Sequence, residues 1–268
     1  MDTTDMTNPT NTTTATDATN TRSATGRIEV EASPERVWKA LTDAAELVRW
    51  FPLEARVEPG AGGSVYMSWK NEYAGDSKIL AWEPPRRLVV SWGWDESGEH
   101  PPQVTEYRIE SEGHRTVVDV VTSGFPDDPS WDAFVEGTNS GWRFELESLK
   151  QYLEHHDGED RGVVYLRRRT PIDAAEAWAR MFGEGGLGTE PYGGDTFDAT
   201  ENRQYAAILD DLDGALLRIS LEPCSIGIDA RDVTLWLQAW GDARERLPGF
   251  EAEWRPLLER LFPEGETP

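Results

Sequence analysis

The chain has 268 residues, enough for two domains that each bury a core, and 38% of them are hydrophobic, an ordinary share for a globular protein. Its net charge of −24 repels the phosphates of nucleic acids and of anionic membranes, so we expect neither as a partner. No apolar stretch approaches the ~20 residues of a membrane span. A single cysteine, Cys224, excludes internal disulfides and thiolate metal clusters. The start of the chain lacks a secretory pattern, so the cytoplasm is the expected compartment.

The first predicted elements follow a threonine-rich segment. Residues 1–25 carry no large apolar side chain except two methionines, which predicts a disordered tail. Residues 27–32 alternate as a strand does. Ser33 is then expected to cap a helix of about ten residues with Pro34 at its first position. A second short turn is expected to end at Pro52.

A run of strands and one long helix come next. Alternating apolar and polar residues predict strands at 64–70, 88–94, 105–110 and 116–122. Such alternation is typical of an antiparallel sheet with one covered face. The cover is expected to be a helix whose apolar stripe steps by four, three and four residues: Trp142, Leu146, Leu149 and Leu153. A curved sheet that closes around a single helix leaves a gap, which we expect to be a cavity.

Residues 157–268 show the same order of signals in a shorter form. Strands are predicted at 163–169, 205–209, 215–221 and 233–240, with Asp213-Gly214 as a hairpin turn. Thr170-Pro171 resembles the cap and proline at Ser33-Pro34, and Trp254 begins an apolar stripe like that of Trp142. The cap and the closing tryptophan lie 109 residues apart in the first unit and 84 in the second. The second unit is therefore interpreted as a degenerate repeat that lost about two strands or shortened several; an unrelated α+β extension is the alternative.

Several segments of residues 26–156 resemble a known family. Residues 28–43, IEVEASPERVWKALTD, are similar to the opening of SRPBCC (START-like) domains, and Trp50-Phe51 is placed as in their Aha-type branch. Residues 82–92, WEPPRRLVVSW, resemble the central strand pair of that branch. Its end is matched by residues 122–125, TSGF, and by Gly141-Trp142.

The resemblance implies an α+β helix-grip fold around a hydrophobic cavity. The branch is named for an activator of a heat-shock chaperone's ATPase, which uses a separate N-terminal domain to bind the chaperone. Here only the threonine-rich segment occupies that place. Related branches include polyketide aromatase/cyclases, some of them tandem.

The residues that could serve in catalysis or metal binding do not indicate a particular reaction. The four histidines (His100, His114, His155 and His156) lack metal-binding spacing, and no G-x-S-x-G elbow is present. The glycine-rich residues 183–188 lack the lysine of a phosphate loop. Carboxylates at positions 46, 54 and 72 are candidate acids or bases only if one of them faces the cavity. We therefore predict no catalytic residue, no metal and no cofactor.

Tryptophan is the stronger signal, with twelve in the chain and eight in the first unit. Aromatic side chains on the inward stripes of the sheet and helix predict the wall of a pocket, although a filled core is the equal alternative. Tyr107 and Thr122 are candidates to orient a ligand by hydrogen bonds. The predicted lining is Trp50, Phe51, Met67, Trp69, Val90, Trp92, Tyr107, Val120, Thr122, Trp142, Leu146 and Leu149.

Three functions remain open. The first is non-catalytic binding of a small hydrophobic ligand, aromatic or lipid-like, with the second unit packed against the first or sensing occupancy. The second is an enzyme like the polyketide aromatase/cyclases. The third is a chaperone-associated or other protein-binding module.

Overall fold

The computed structural model describes residues 21–69, 74–92, 102–188, 194–223 and 230–267. Its strands are β1 (Thr21–Val30), β2 (Glu54–Glu58), β3 (Ser64–Ser68), β4 (Ala74–Glu83), β5 (Arg87–Trp92), β6 (Gln103–Glu112), β7 (Arg115–Pro126), β8 (Arg161–Thr170), β9 (Asp195–Thr200), β10 (Gln204–Leu209), β11 (Ala215–Pro223) and β12 (Arg231–Trp240). Its helices are α1 (Pro34–Thr42), α2 (Ala44–Leu47), α3 (Asp132–His155), α4 (Ala174–Phe182) and α5 (Leu247–Leu261).

The first unit is one antiparallel sheet of seven strands in the order β1-β7-β6-β5-β4-β3-β2. Its first strand pairs with its last, and the strands between them form a meander. The predicted start of α1 is confirmed, because the Ser33 hydroxyl accepts from the backbone N–H of Arg36 at 3.2 Å and Pro34 is the first helical residue. The helix α3 packs against β1 and β7 and closes the unit.

The strands of the first unit differ from the prediction in three places, and β9 of the second unit was not predicted. β1 begins at Thr21 rather than at residue 27, so residues 21–25 of the predicted disordered tail pair with β7, and residues 1–20 lie outside the described residues. β2 and β4 were not predicted. The inward positions of β4 include Gly75 and Ser77 and its outer face carries Leu80, so the sequence shows no clear apolar alternation there, and β2 is only five residues long. Of the predicted strand 88–94, the described part ends at Trp92.

The second unit repeats this topology with two strands fewer. Its antiparallel sheet has the order β8-β12-β11-β10-β9, so the first strand again pairs with the last. The helix α5 packs against β8 and β12. The predicted cap of α4 at Thr170 is wrong. Thr170 is the buried last residue of β8, and the carboxylate of Asp173 caps α4 by accepting from the N–H of Glu176 at 2.8 Å.

The helix α3 lies between the two sheets. One face of the second sheet, with Ala206, Leu216 and Trp236, belongs to the same apolar core as α3 and the first sheet. The other face packs with α4 and α5 in a core of its own. The layers therefore follow one another as sheet, helix, sheet, helix. Because both faces are covered, residues 232–240 of β12 are buried without the alternation of a half-exposed strand.

Hydrogen bonds and rings join the units at α3. The Ser148 hydroxyl donates to the carbonyl of Trp50 at 2.6 Å and accepts from the Gln238 amide at 2.6 Å. The indole of Trp240 donates to the carbonyl of Arg49 at 2.7 Å. The ring of His156 stacks on that indole with centroids 4.8 Å apart. The second unit is thus packed against the first, which was one of the two roles expected for it.

Candidate functional site

A cavity of about 380 Å³ lies at the end of the first sheet, where strands β5, β6 and β7 meet α3 and β11. Its volume is within the ~300–1,000 Å³ typical of small-molecule sites. The lining is formed by Phe51, Trp69, Trp92, Gln103, Thr105, Thr122, Thr138, Gly141, Trp142, Glu145 and Arg218. Ten of these come from the first unit, and Arg218 comes from the second.

Four aromatic rings form the apolar wall. Phe51 contacts Trp69 edge to face at 5.0 Å and Trp142 at 5.7 Å between centroids. Phe51 also stacks on Trp50, whose buried indole donates to the carbonyl of Ala40 at 2.9 Å. These packed neighbours fix the orientation of the rings, so the wall is rigid before any guest enters.

Two of the indoles are held by a pair of threonines. The indole N–H of Trp92 donates to the Thr105 hydroxyl at 2.9 Å, and that of Trp142 donates to the Thr122 hydroxyl at 3.0 Å. The two hydroxyl oxygens lie 2.9 Å apart, so one donates to the other. Each hydroxyl has a single proton. One of the two protons is therefore left without an acceptor among the described residues, and both threonines line the cavity.

Glu145 and Arg218 line the polar end of the cavity. Burial raises the pKa of Glu145 to about 7, although the charges of Arg161 and Arg218 act to lower it. Burial lowers the pKa of Arg161 to about 10, and the charge of Glu145 acts to raise it. Arg161 also donates to the carbonyls of Phe51 and Pro52 at 3.0 and 2.6 Å, which ties β8 to the wall of the cavity.

The predicted lining residues divide into two groups. Five border the cavity: Phe51, Trp69, Trp92, Thr122 and Trp142. The other seven do not, because they are packed in the core between the sheet and α3: Trp50, Met67, Val90, Tyr107, Val120, Leu146 and Leu149. Tyr107 therefore lies beneath the cavity, with its ring edge-on to Trp142 at 5.7 Å, and burial raises the pKa of its phenol.

Two of the predicted acid and base candidates, Glu46 and Glu54, do not line the cavity. Burial acts to raise the pKa of Glu46, but hydrogen bonds from Tyr152 and Lys39 and the charge of Arg36 outweigh it, and the pKa is lowered. Glu46 is thus an ionised partner in a salt-bridge cluster. The side chain of Glu54 is exposed on β2, and Glu72, His100 and Cys224 lie outside the described residues.

Sequence reasoning did not identify Glu145 and Arg218, the two residues that matter most for the polar end of the cavity. Glu145 occupies the i+3 position after Trp142, inside the apolar stripe of α3, and an acid in such a stripe is a detectable signal. Arg218 shares a face of β11 with Leu216 and Ser220. No pattern in the sequence reveals that this face meets the helix of the other unit.

A larger cleft of about 720 Å³ lies at the junction of the units, on the other side of Trp69. Seven of its fifteen lining residues are charged, and ion pairs occupy several of its arginines: Arg49 and Arg244 with Asp160, and Arg255 with Glu251. The smaller cavity is the better candidate because its wall is aromatic and its polar groups converge.

The described ranges contain no group of three or more His, Cys, Asp or Glu side chains that could hold a metal ion. They also contain no helix that is both long and apolar enough to cross a membrane.

Solved structures similar to the chain include CalU16 from Micromonospora echinospora, with 24% identity over 50% of this chain and 86% of CalU16, and a TM-score of 0.40. The Aha1 dimer from Colwellia psychrerythraea has 23% identity over 51% of this chain and 99% of its own, with a TM-score of 0.44. DynU16, from the dynemicin biosynthetic locus, has 18% identity over 88% of this chain and 96% of its own, with a TM-score of 0.42. Comparison with curated proteins gave no match.

The family model described as "Activator of Hsp90 ATPase homolog 1-like protein" matches residues 31–154. This match covers α1 through the last turn of α3, which is nearly the whole first unit. It agrees with the START-like resemblance of the sequence and with the sheet that α3 closes. Residues 31–154 of this chain are therefore similar to the Activator of Hsp90 ATPase homolog 1-like family, and the first sheet with α3 has an α+β helix-grip fold.

Proposed function

We propose that the chain binds a small, flat, largely apolar ligand in the cavity between the first sheet and α3. The observation that carries this proposal is the wall of four aromatic rings around about 380 Å³, together with a hydroxyl proton that has no acceptor among the described residues. An apolar guest with a few placed polar groups is the kind of ligand that such a wall accepts.

Two glycines on α3 provide a matched test. A Cβ added at Gly141, which lines the cavity, or at Gly137, one turn earlier and outside its lining, meets no atom within 4 Å. Leucine is favoured over glycine in a helix, so both variants are expected to fold. Gly141→Leu is expected to fill part of the cavity and to weaken binding at least tenfold, whereas Gly137→Leu keeps the affinity.

The measurement is quenching of tryptophan fluorescence by naphthalene and by oleate, with native mass spectrometry for stoichiometry. Saturable one-to-one binding of either probe that Gly141→Leu weakens supports the proposal. The absence of saturable binding by both, or equal binding by the two leucine variants, overturns it.

A second candidate is an enzyme of the polyketide aromatase/cyclase kind, and Glu145 is the observation that favours it. A carboxyl group whose pKa is raised to about 7 can exchange a proton with a bound substrate near neutral pH. Glu145→Gln is expected to abolish turnover of a candidate polyketide and to leave its binding intact. Unchanged turnover in that variant and in Thr122→Val removes this candidate.

The protein-binding module stays a prediction. Leu80 is the one large apolar side chain that is exposed in the part of the chain that the structure describes. Protein interfaces usually need a contiguous apolar patch, so the described surface gives this function little support.

A further inference from the structure

The carboxyl group of Glu145 has no hydrogen-bond partner among the described residues. Its Oε2 atom is shielded from solvent and unpaired, and Glu145 lines the cavity. The nearby charges of Arg161 and Arg218 are not within ion-pair distance of it. Leaving a buried charged group unpaired costs a few kcal/mol, so folded proteins rarely keep such a group without a use for it.

Arg218 presents a donor to the same cavity from the second unit. Its Nε donates to the Gln204 side chain at 2.8 Å, and its Nη2 donates to Glu222 at 2.9 Å. Gln204 is itself fixed by donating to Asp198 at 2.7 Å. These bonds orient the guanidinium and leave Nη1 without a partner among the described residues.

The cavity thus offers one acceptor and two donors in an aromatic wall. The acceptor is Glu145, and the donors are the spare hydroxyl proton of the Thr105–Thr122 pair and Nη1 of Arg218. An anionic ligand would face the carboxylate of Glu145, and a cationic ligand would face Arg218. A neutral group that both donates and accepts satisfies all three.

We propose that the ligand is a planar aromatic compound with a hydroxyl group, a phenol, and that both units build its binding site. Its O–H donates to Glu145, and its oxygen accepts from the threonine pair or from Arg218. The ring fills the space between Phe51 and the indoles. This inference rests on the proposed ligand-binding function and adds the chemical class of the ligand.

Three probes that share the naphthalene ring but differ in their hydrogen-bonding groups test which polar contacts the ligand makes. 2-Naphthol donates and accepts, 2-methoxynaphthalene only accepts, and naphthalene does neither. With the full chain near neutral pH, 2-naphthol is expected to bind at least about tenfold more tightly than the methyl ether, because a hydrogen bond to a charged group contributes that much. The dissociation constants are measured by titration calorimetry and checked by tryptophan quenching.

Two variants assign the polar groups. Glu145→Leu is expected to reduce the preference for 2-naphthol over the methyl ether to less than threefold, whereas Glu147→Leu, which removes an acid of α3 outside the cavity lining, keeps it. Arg218→Met is expected to weaken both oxygen-bearing probes and to leave the affinity for naphthalene unchanged. That result would show that the second unit contributes to the site.

The possible failures differ from one another. If the three probes bind equally, or if the preference survives Glu145→Leu, the phenol assignment is overturned while the apolar cavity stands. If Arg218→Met changes no affinity, the contribution of the second unit is overturned. If none of the probes saturates the protein, the proposed function fails and this inference fails with it.

Discussion

Replacement of Glu145 by glutamine is expected to change how the stability of the protein depends on pH. Burial raises the pKa of this carboxyl group from 4.5 to about 7, although the charges of Arg161 on β8 and Arg218 on β11 act to lower it. The charge of Glu145 in turn acts to raise the pKa of the Tyr107 phenol on β6. A shift of this size corresponds to about 3 kcal/mol.

Whether stability rises or falls with pH depends on whether the folded or the unfolded chain loses the Glu145 proton first. Below pH 4.5 the carboxyl group is protonated in the folded and unfolded states, and it does not affect stability. Between pH 4.5 and pH 7 the unfolded chain releases the proton while the folded chain keeps it, so the wild type loses stability as the pH rises. Above pH 7 both states are ionised, and the full loss of about 3 kcal/mol is present.

The glutamine at position 145 does not titrate. The free energy of unfolding of Glu145→Gln minus that of the wild type is therefore expected to rise by about 2 kcal/mol between pH 5 and pH 8. Urea unfolding at four pH values in this interval measures that difference. Glu147→Gln, which changes an acid of the same helix outside the cavity lining, is measured beside it as the control. A flat difference for Glu145→Gln would refute the buried, unpaired state of this group.

Three other variants test the packing of α3. In Gly26→Ala the new Cβ would lie 2.7 Å from Leu146 Cδ1, so we expect a loss of about 1–3 kcal/mol in a thermal melt, and an unchanged melting temperature would contradict the close approach of β1 and α3. Ser148→Ala leaves the Gln238 amide without its acceptor and is expected to cost about 1–3 kcal/mol, which Ser148→Thr should largely restore. Trp240→Phe keeps a ring but removes the indole donor, and urea unfolding should show a loss of about 1 kcal/mol; no loss would mean that this donor contributes nothing to the interface.

Helix-capping residues and the spacing of apolar residues correctly predicted the elements that depend on neighbouring residues in the sequence. Ser33 and Pro34 form the start of α1 as expected, and the spacing of Trp142, Leu146 and Leu149 identified the face of α3 that covers the first sheet. The shorter distance between cap and closing tryptophan predicted the loss of strands, and the second sheet has two fewer than the first.

The sequence predictions were wrong or incomplete where contacts with a distant part of the chain determine the burial or pairing of a residue. Thr170-Pro171 has the residues of a helix cap, but pairing of β8 with β12 extends the strand through Thr170, and Asp173 caps α4 instead. Ser148 lies outside the apolar stripe of α3, yet it is fully buried because the second sheet covers that face. Polar residues in contact with another unit look the same in sequence as residues in contact with water.

The candidate site was predicted in part for the same reason. The rings of Phe51, Trp69 and Trp142 could be assigned to a wall because each follows an apolar pattern of its own element. The threonine pair was only half recognised, since Thr105 and Thr122 come together through the pairing of β6 with β7. Arg218 reaches the cavity only through the packing of one unit on the other.

The position of α3 between the two sheets makes the packing of each unit depend on the other. A chain cut after His155 would expose Phe144 and Ser148 on one side of that helix, and a chain that began after it would expose Leu216 and Trp236. Neither half would then have a complete interior. Each of the two sheets therefore depends on the same helix to cover one of its faces.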